Sequence, residues 1–301
     1  MEISSGKIAG HEAAGSANHA MPTRVLGKTG ARVSILAFGG GSRFLSYATE
    51  DAAVRALTRA LDLGITYVDT ADNYGDHMSE QRVGIAIQGR RDNLFLATKL
   101  TNRDGRQSRR IVEESLRALR VDSVDLLQIH ALTDAADLAA VEAAGGPLDE
   151  IRKMRDQKMT RFIGITSHCD PAVLKTALDR HDFDCTLMAL NAGRMAMKNV
   201  EGGVLPDPSI RTSFETVALP VALRKNMGVL AMKAYGQETL VGQAPAEHLL
   251  YYSLSLPVAA AVVGMPKLEH IEENVRLAKA FRELSPAEMS EVAARVSRWA
   301  P

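Results

Sequence analysis

The chain has 301 residues, 46% hydrophobic and 24% charged, with 36 Lys plus Arg balanced by 36 Asp plus Glu. That balance excludes the strongly basic surface of a nucleic-acid or membrane-surface binder, and the apolar fraction is that of an ordinary globular protein. Its two cysteines, Cys169 and Cys185, make no disulfide framework, and no apolar run reaches the roughly 18 residues of a membrane-spanning helix.

Residues 1–22 read as a flexible leader or arm. The opening MEISSGKIAGHEAAGSANHA is rich in Gly, Ala and Ser, has no hydrophobic period, and lacks the apolar core of a signal peptide. An expression leader ahead of Met21, the remnant of an exported precursor and a native disordered arm are all open. A cytoplasmic location is expected by default, with export of a longer precursor still open. Residues 23–301 are expected to form one domain. It should begin with a β-hairpin, because two short extended runs flank the turn-forming Gly27-Lys28-Thr29-Gly30.

From there an apolar run followed by a helix-period segment recurs eight times. The strands are expected at Val33–Phe38, Tyr67–Asp69, Leu94–Thr98, Leu126–Ile129, Phe162–Ile165, Leu187–Leu190, Val229–Met232 and Ala259–Val263. The helices are expected near Asp51–Leu63, Ser79–Gln88, Arg109–Leu119, Ala136–Gln157, Pro171–Asp179, Phe214–Lys225, Ala246–Ser255 and Leu268–Phe281. Strands alternating with helices of this length need crossover connections and hence a parallel sheet. Eight such units in about 250 residues favour a closed (β/α)8 TIM barrel, and no GxGxxG follows the first strand to suggest a Rossmann domain. Ser79 and Asp170 look like helix N-caps, and Ser285-Pro286-Ala287-Glu288 carries a capping box that opens an extra C-terminal helix to about Arg298. The long, aperiodic stretch from Ala192 to Thr212 reads as a functional loop.

The stretch GITYVDTADNYG, Gly64 to Gly75, delivers Asp69 at a strand end, with Tyr74 five residues on. The third and fourth strands end in Lys99 and His130. In a barrel these ends converge on one mouth. Each residue alone has an ordinary structural explanation as a loop cation, a cap or a packed side chain, but their joint order points to chemistry. A free phenol titrates near pH 10 and is a poor acid. A touching ammonium stabilises its anion, so Lys99 is expected to lower the Tyr74 pKa while Asp69 keeps Lys99 charged. His130 can donate to a carbonyl oxygen. No nucleophile has an adjacent base and no cluster has metal-ligand spacing, so the site handles a proton and a redox cofactor must move the electrons.

Asp-Thr-Ala-x-x-Tyr-Gly after a strand, with Lys99 and His130 on the next two, resembles the aldo-keto reductase family over roughly residues 23–284. The resemblance implies a catalytic tetrad of Asp69, Tyr74, Lys99 and His130, with Tyr74 as general acid in reduction and base in oxidation. It implies an NADP or NAD cofactor and a small carbonyl or alcohol substrate. VVGMPKLEHIEENV looks like the family's adenosine-binding segment, so Gly264, Met265, Lys267, His270, Glu273 and Asn274 are expected at the cofactor, together with Gly39, Gly40, Thr166, Ser167, Asn191 and Lys233. Phe44, Tyr47 and His168 are expected at the substrate pocket. There are departures from the family's pattern: Ile165-Thr166-Ser167-His168 replaces a Ser-Asn pair, and Gly264-Met265 stands where a basic residue and Ser commonly grip a 2′-phosphate. NADP against NAD therefore stays open. So does the alternative of a cofactor-binding sensor or subunit with little turnover, and a monomer or small homo-oligomer is expected.

Overall fold

The computed structural model describes residues 20–201 and 203–296; the leader up to residue 19 and Trp299 lie outside the described residues. An antiparallel hairpin of β1 (Thr23–Val25) and β2 (Arg32–Ser34) precedes β3 (Leu36–Gly39), β4 (Tyr67–Asp69), β5 (Phe95–Leu100), β6 (Val124–Ile129), β7 (Thr160–Ser167) and β8 (Cys185–Ala189). A second hairpin, β9 (Met197–Val200) with β10 (Gly203–Pro206), intervenes before β11 (Gly228–Met232) and β12 (Ala260–Val263). Strands β3 to β8, β11 and β12 are parallel neighbours and close into an eight-stranded barrel. Around it run α1 (Ser42–Leu45), α2 (Glu50–Asp62), α3 (Met78–Ala86), α4 (Gly105–Leu119), α5 (Ala135–Glu142), α6 (Pro147–Asp156), α7 (Pro171–Arg180), α8 (Phe214–Val217), α9 (Leu219–Arg224), α10 (Ala246–Ser255), α11 (Leu268–Lys279) and α12 (Pro286–Arg295). The architecture is the expected (β/α)8 barrel with an N-terminal hairpin and an extra C-terminal helix.

The barrel strands are apolar almost throughout because both faces are buried. Inward residues such as Ala37, Tyr67, Ala97, Leu126, Leu187, Leu230 and Ala260 fill the interior. Outward ones meet the helices in a larger cluster that includes Leu36, Val68, Leu96, Leu127 and Ile163. Leu26 and Val33 join the interior cluster, so the hairpin stoppers the end of the barrel where the strands begin. Met21 packs on the core and the Pro22 carbonyl accepts from Ile35 N at 3.0 Å. These last two residues of the expected leader are therefore part of the packed structure.

Several boundaries differ from the sequence reading for local reasons. The run Val33–Phe38 is two strands, one in the hairpin and one in the barrel, with the break at Ile35. The helix expected over 136–157 is interrupted at Gly145, whose φ of 70° is left-handed, and restarts on Pro147 at its first turn. The helix expected over 214–225 breaks before Pro220, which lacks the N–H that the helical ladder needs. Asp170 caps α7 by accepting from Ala172 N at 2.7 Å, and Ser285 with Glu288 forms the capping box of α12. Ser79 is not a cap: its buried hydroxyl donates to the Gly40 carbonyl at 2.7 Å, and His77 holds the cap position of α3. No helix among the described residues is long and apolar enough to cross a membrane.

Gly84 sits where α3 meets α4, and a Cβ there would stand 2.5 Å from the Ala118 carbonyl oxygen. Alanine normally improves a helix interior by about 1 kcal/mol over glycine. Here the clash should win, so Gly84→Ala is expected to lower unfolding free energy by about 1–3 kcal/mol in urea titrations. A neutral or stabilised variant would contradict the close approach of the two helices.

Candidate active site

Alternation along the strands aims Asp69, Lys99 and Gln128 into the barrel at its C-terminal mouth, and the register sets Asp69 beside Ala97 and Lys99 beside Gln128. Lys99 is 1% exposed. Its ammonium lies 2.5 Å from Asp69 Oδ1 and donates to the Thr70 carbonyl at 2.6 Å and to the Tyr74 hydroxyl at 3.3 Å. The His130 imidazole meets the Tyr74 ring edge to face, with centroids 5.5 Å apart. The four sequence-predicted residues thus meet at one place.

The electrostatics follow from burial and from charge. Burial pulls the Lys99 ammonium down, but Asp69 and Tyr74 outweigh it, and Lys99 stays charged with its pKa above the usual lysine range. Burial raises the Tyr74 phenol above 10, and Lys99 only partly opposes it. The expected depression of the Tyr74 pKa is therefore corrected: desolvation of the phenolate exceeds the attraction of an ammonium already shared with Asp69. His130 is pushed well below the usual histidine range by burial and then by Lys99, so it is neutral. His168 is lowered to about 4, chiefly by burial. Lys233 is lowered to about 8 by burial, with Arg43 and Lys99 adding to the effect.

These groups line a cavity of about 1010 Å³. Its wall includes Gly39, Gly40, Thr166, His168, Lys233, Gly264, His270, Glu273 and Asn274 as expected. Gly40 has no room for a side chain, since a Cβ would fall 2.9 Å from the Asp69 carbonyl oxygen. Other expected residues do not reach the wall. Phe44 is fully buried edge-on against Phe38, and the Tyr47 hydroxyl donates to the Met265 carbonyl at 3.2 Å, so neither lines a substrate pocket. Met265 is itself packed in the core. The Ser167 hydroxyl donates to the Leu132 carbonyl at 2.7 Å. Asn191 is spent on the backbone of Met195, at 3.2 Å and 3.3 Å. Lys267 is exposed at the start of α11, off the cavity wall.

Sequence reasoning missed several groups. Gln128 Nε2 donates to Asp69 Oδ2 at 3.2 Å, and only its place two residues before His130 on a strand could have flagged it. Tyr235 lines the cavity and donates to Asn274 Oδ1. Arg43 and Glu238 pair at 2.9 Å on the wall, and Arg103 grips Asp137 at 2.7 Å while donating to the His130 carbonyl at 2.8 Å. The Ala192–Thr212 segment supplies the hairpin of β9 and β10, whose Asn199 Oδ1 accepts from His168 Nε2 at 2.9 Å and lines the cavity with Val204. Asp69 is the only carboxylate paired with Lys99 among the described residues. Asp69→Asn is expected to cost about 3–5 kcal/mol in urea unfolding at pH 7. The deficit should shrink as pH rises, because an unpaired buried ammonium is relieved by losing its proton.

Residues 36–244 match the model of the Aldo/keto reductase family. The chain is 28% identical over 295 residues to the uncharacterized oxidoreductase YqkF of Bacillus subtilis, covering 87% of this chain and 92% of that protein. It is also 28% identical to the L-galactose dehydrogenase of Arabidopsis thaliana, covering 84% and 86%. Among solved structures, the aldo-keto reductase AKR11C1 of Bacillus halodurans in its holo form matches with a TM-score of 0.72 at 24% identity, over 93% of this chain and 97% of that one. An aldo-keto reductase of Klebsiella pneumoniae in complex with NADPH matches with a TM-score of 0.71 at 22% identity, over 91% and 94%. With an eight-stranded parallel barrel, four strand-end groups converging in one cavity and a family match over more than half its length, this chain belongs to the aldo/keto reductase family.

Proposed function

We propose that the protein is a nicotinamide-dependent oxidoreductase that interconverts a carbonyl and an alcohol, with Tyr74 as the proton-transferring group. The observation that carries this reading is the Tyr74 hydroxyl at 3.3 Å from a buried, charged Lys99 at the floor of a large cavity. A phenol that stays protonated at neutral pH suits a general acid, and Lys99 stands ready to hold the phenolate left behind. Asp69 anchors Lys99, and Gln128 occupies the second Asp69 oxygen. Neutral His130 donates through one ring nitrogen to the carbonyl oxygen, which orients it and stabilises developing negative charge.

The cavity fits a dinucleotide on its own chemistry. It is large enough, it runs from Tyr74 to His270 and Glu273, and its wall includes the Thr166 hydroxyl, which is buried with no hydrogen-bond partner among the described residues. Lys233 reaches the same wall without a carboxylate partner among the described residues; its ammonium donates to Gln237 Oε1 at 2.8 Å. When bound, the nicotinamide supplies or accepts the hydride. In this reading Thr166 would hold the nicotinamide end, Lys233 a phosphate, and Glu273 and Asn274 the adenosine. The NADPH bound to the Klebsiella relative favours NADP, while the absence of a cation at Gly264-Met265 keeps NAD in play.

Tyr74→Phe should lower turnover by about 10²–10⁴ while leaving NADPH or NADH binding, read by fluorescence titration, within twofold. Retained turnover, or loss of cofactor binding with it, would overturn the role. In the direction of carbonyl reduction the phenol must be protonated, and its raised pKa puts the limb due to Tyr74 above pH 10. Phenolate absorbance that appeared below pH 9 in the wild type but not in Tyr74→Phe would contradict the burial argument.

A further inference from the structure

Three consecutive residues after Tyr74 lie in the left-handed region: Gly75 at φ 67°, Asp76 at 51° and His77 at 64°. Two of the three are not glycine, and such residues persist there only when their surroundings hold them. The restraints are visible. His77 N donates to the Asp72 carbonyl at 2.8 Å, Met78 N to Gly75 at 3.1 Å and Ser79 N to Tyr74 at 3.1 Å. The side-chain restraint is Glu80, which is 0% exposed. One of its oxygens lies 2.5 Å from His77 Nδ1, and the other accepts from Thr98 Oγ1 at 2.5 Å. Thr98 immediately precedes Lys99 on β5. Glu80 therefore bridges the end of the Tyr74 loop and the strand that carries its ammonium partner.

A buried carboxylate needs a cation, and His77 forms the only ion pair to Glu80 among the described residues. The hydrogen bond to Glu80 is the largest cause raising the His77 pKa; burial opposes it, and Asp72 and Asp76 add to it. From the packed elements, Glu50 of α2, Glu114 and Arg117 of α4 and Arg120 at the C-cap of α4 line the groove that His77 faces.

We propose that Glu80 and protonated His77 form a positioning pair that locks the strained segment after Tyr74 against β5 and so keeps the phenol within reach of Lys99. The inference rests on the proton-donor reading of Tyr74 and adds residues outside the cavity wall to it. A group with a raised pKa holds its contact below that value and releases it as pH climbs through it, so the lock loosens as pH rises past the ordinary histidine range.

The test compares the wild type with Glu80→Gln, His77→Lys and Tyr74→Phe at pH 6 and pH 9. One readout is hydrogen–deuterium exchange of the peptide spanning 72–80, corrected for intrinsic exchange. The other is kcat and KM with NADPH and 4-nitrobenzaldehyde as the probe pair. In the wild type, protection and kcat should both fall on the order of tenfold from pH 6 to pH 9, with KM within twofold. Glu80→Gln should be low at both pH values. His77→Lys, whose cation survives pH 9, should keep protection and kcat at both. Should Glu80→Gln fail to fold, the more exposed His77→Ala carries the same expectation. Tyr74→Phe should keep the wild-type exchange pattern while losing turnover; if it keeps turnover, the acid role of Tyr74 falls while the lock stands on exchange alone. Equal protection at both pH values in the wild type, or Glu80→Gln matching the wild type, overturns the lock.

Discussion

The buried pair between Lys99 and Asp69 is the constraint from which the rest of the site follows. Two opposite charges at the floor of a barrel are stable only with tight geometry and with their remaining hydrogen-bonding capacity used. Both conditions hold. Lys99 spends its donors on Asp69, the Thr70 carbonyl and the Tyr74 hydroxyl, and the second oxygen of Asp69 accepts from Gln128. The register between β4, β5 and β6 sets that geometry, so the barrel fold and the site have one cause.

Because Asp69 already neutralises Lys99, the ammonium influences its neighbours less than an isolated charge would. The phenol stays protonated, and a cation stands beside it to meet the phenolate that the proposed proton transfer would leave. Low dielectric also keeps His130 and His168 neutral. Arg43 and Arg103 on the cavity wall are each bound to a carboxylate, whereas Lys233 has none among the described residues. Among the described residues the wall therefore offers one cation without a carboxylate partner, Lys233, alongside neutral imidazoles and the Glu273 carboxylate, groups that can meet a phosphate, a polar carbonyl and a hydroxyl.

The loops carry what the strands cannot. Arg103, from the connection after β5, ties the His130 and Ala131 carbonyls to Asp137 of α5, and the hairpin of β9 and β10 brings Asn199 onto His168. Below the mouth, Ser79 joins Gly40 to Thr70 and Glu80 joins His77 to Thr98, so the first turns of α3 brace three strand ends at once. A site assembled from several strand ends needs such cross-braces, because each loop alone would wander.

The sequence alone determined the repeating strand–helix order, the eight barrel strands to within a few residues, and the four groups at consecutive strand ends. Those features are local: apolar runs, helical periods, caps at Asp170 and Ser285, and residue types placed where strands stop. Tertiary structure decided what depends on partners distant in the chain. It turned Phe44 and Tyr47 inward against Phe38 and Met265, it spent Ser167 and Asn191 on nearby backbone, and it paired a helix-start glutamate with a histidine and a strand threonine. It also reversed the expected direction of the Tyr74 pKa. The reason is the same in each case: periodicity tells which side of an element faces the core, but burial and neighbouring charge set a group's protonation and partners, and both arise only when the barrel closes.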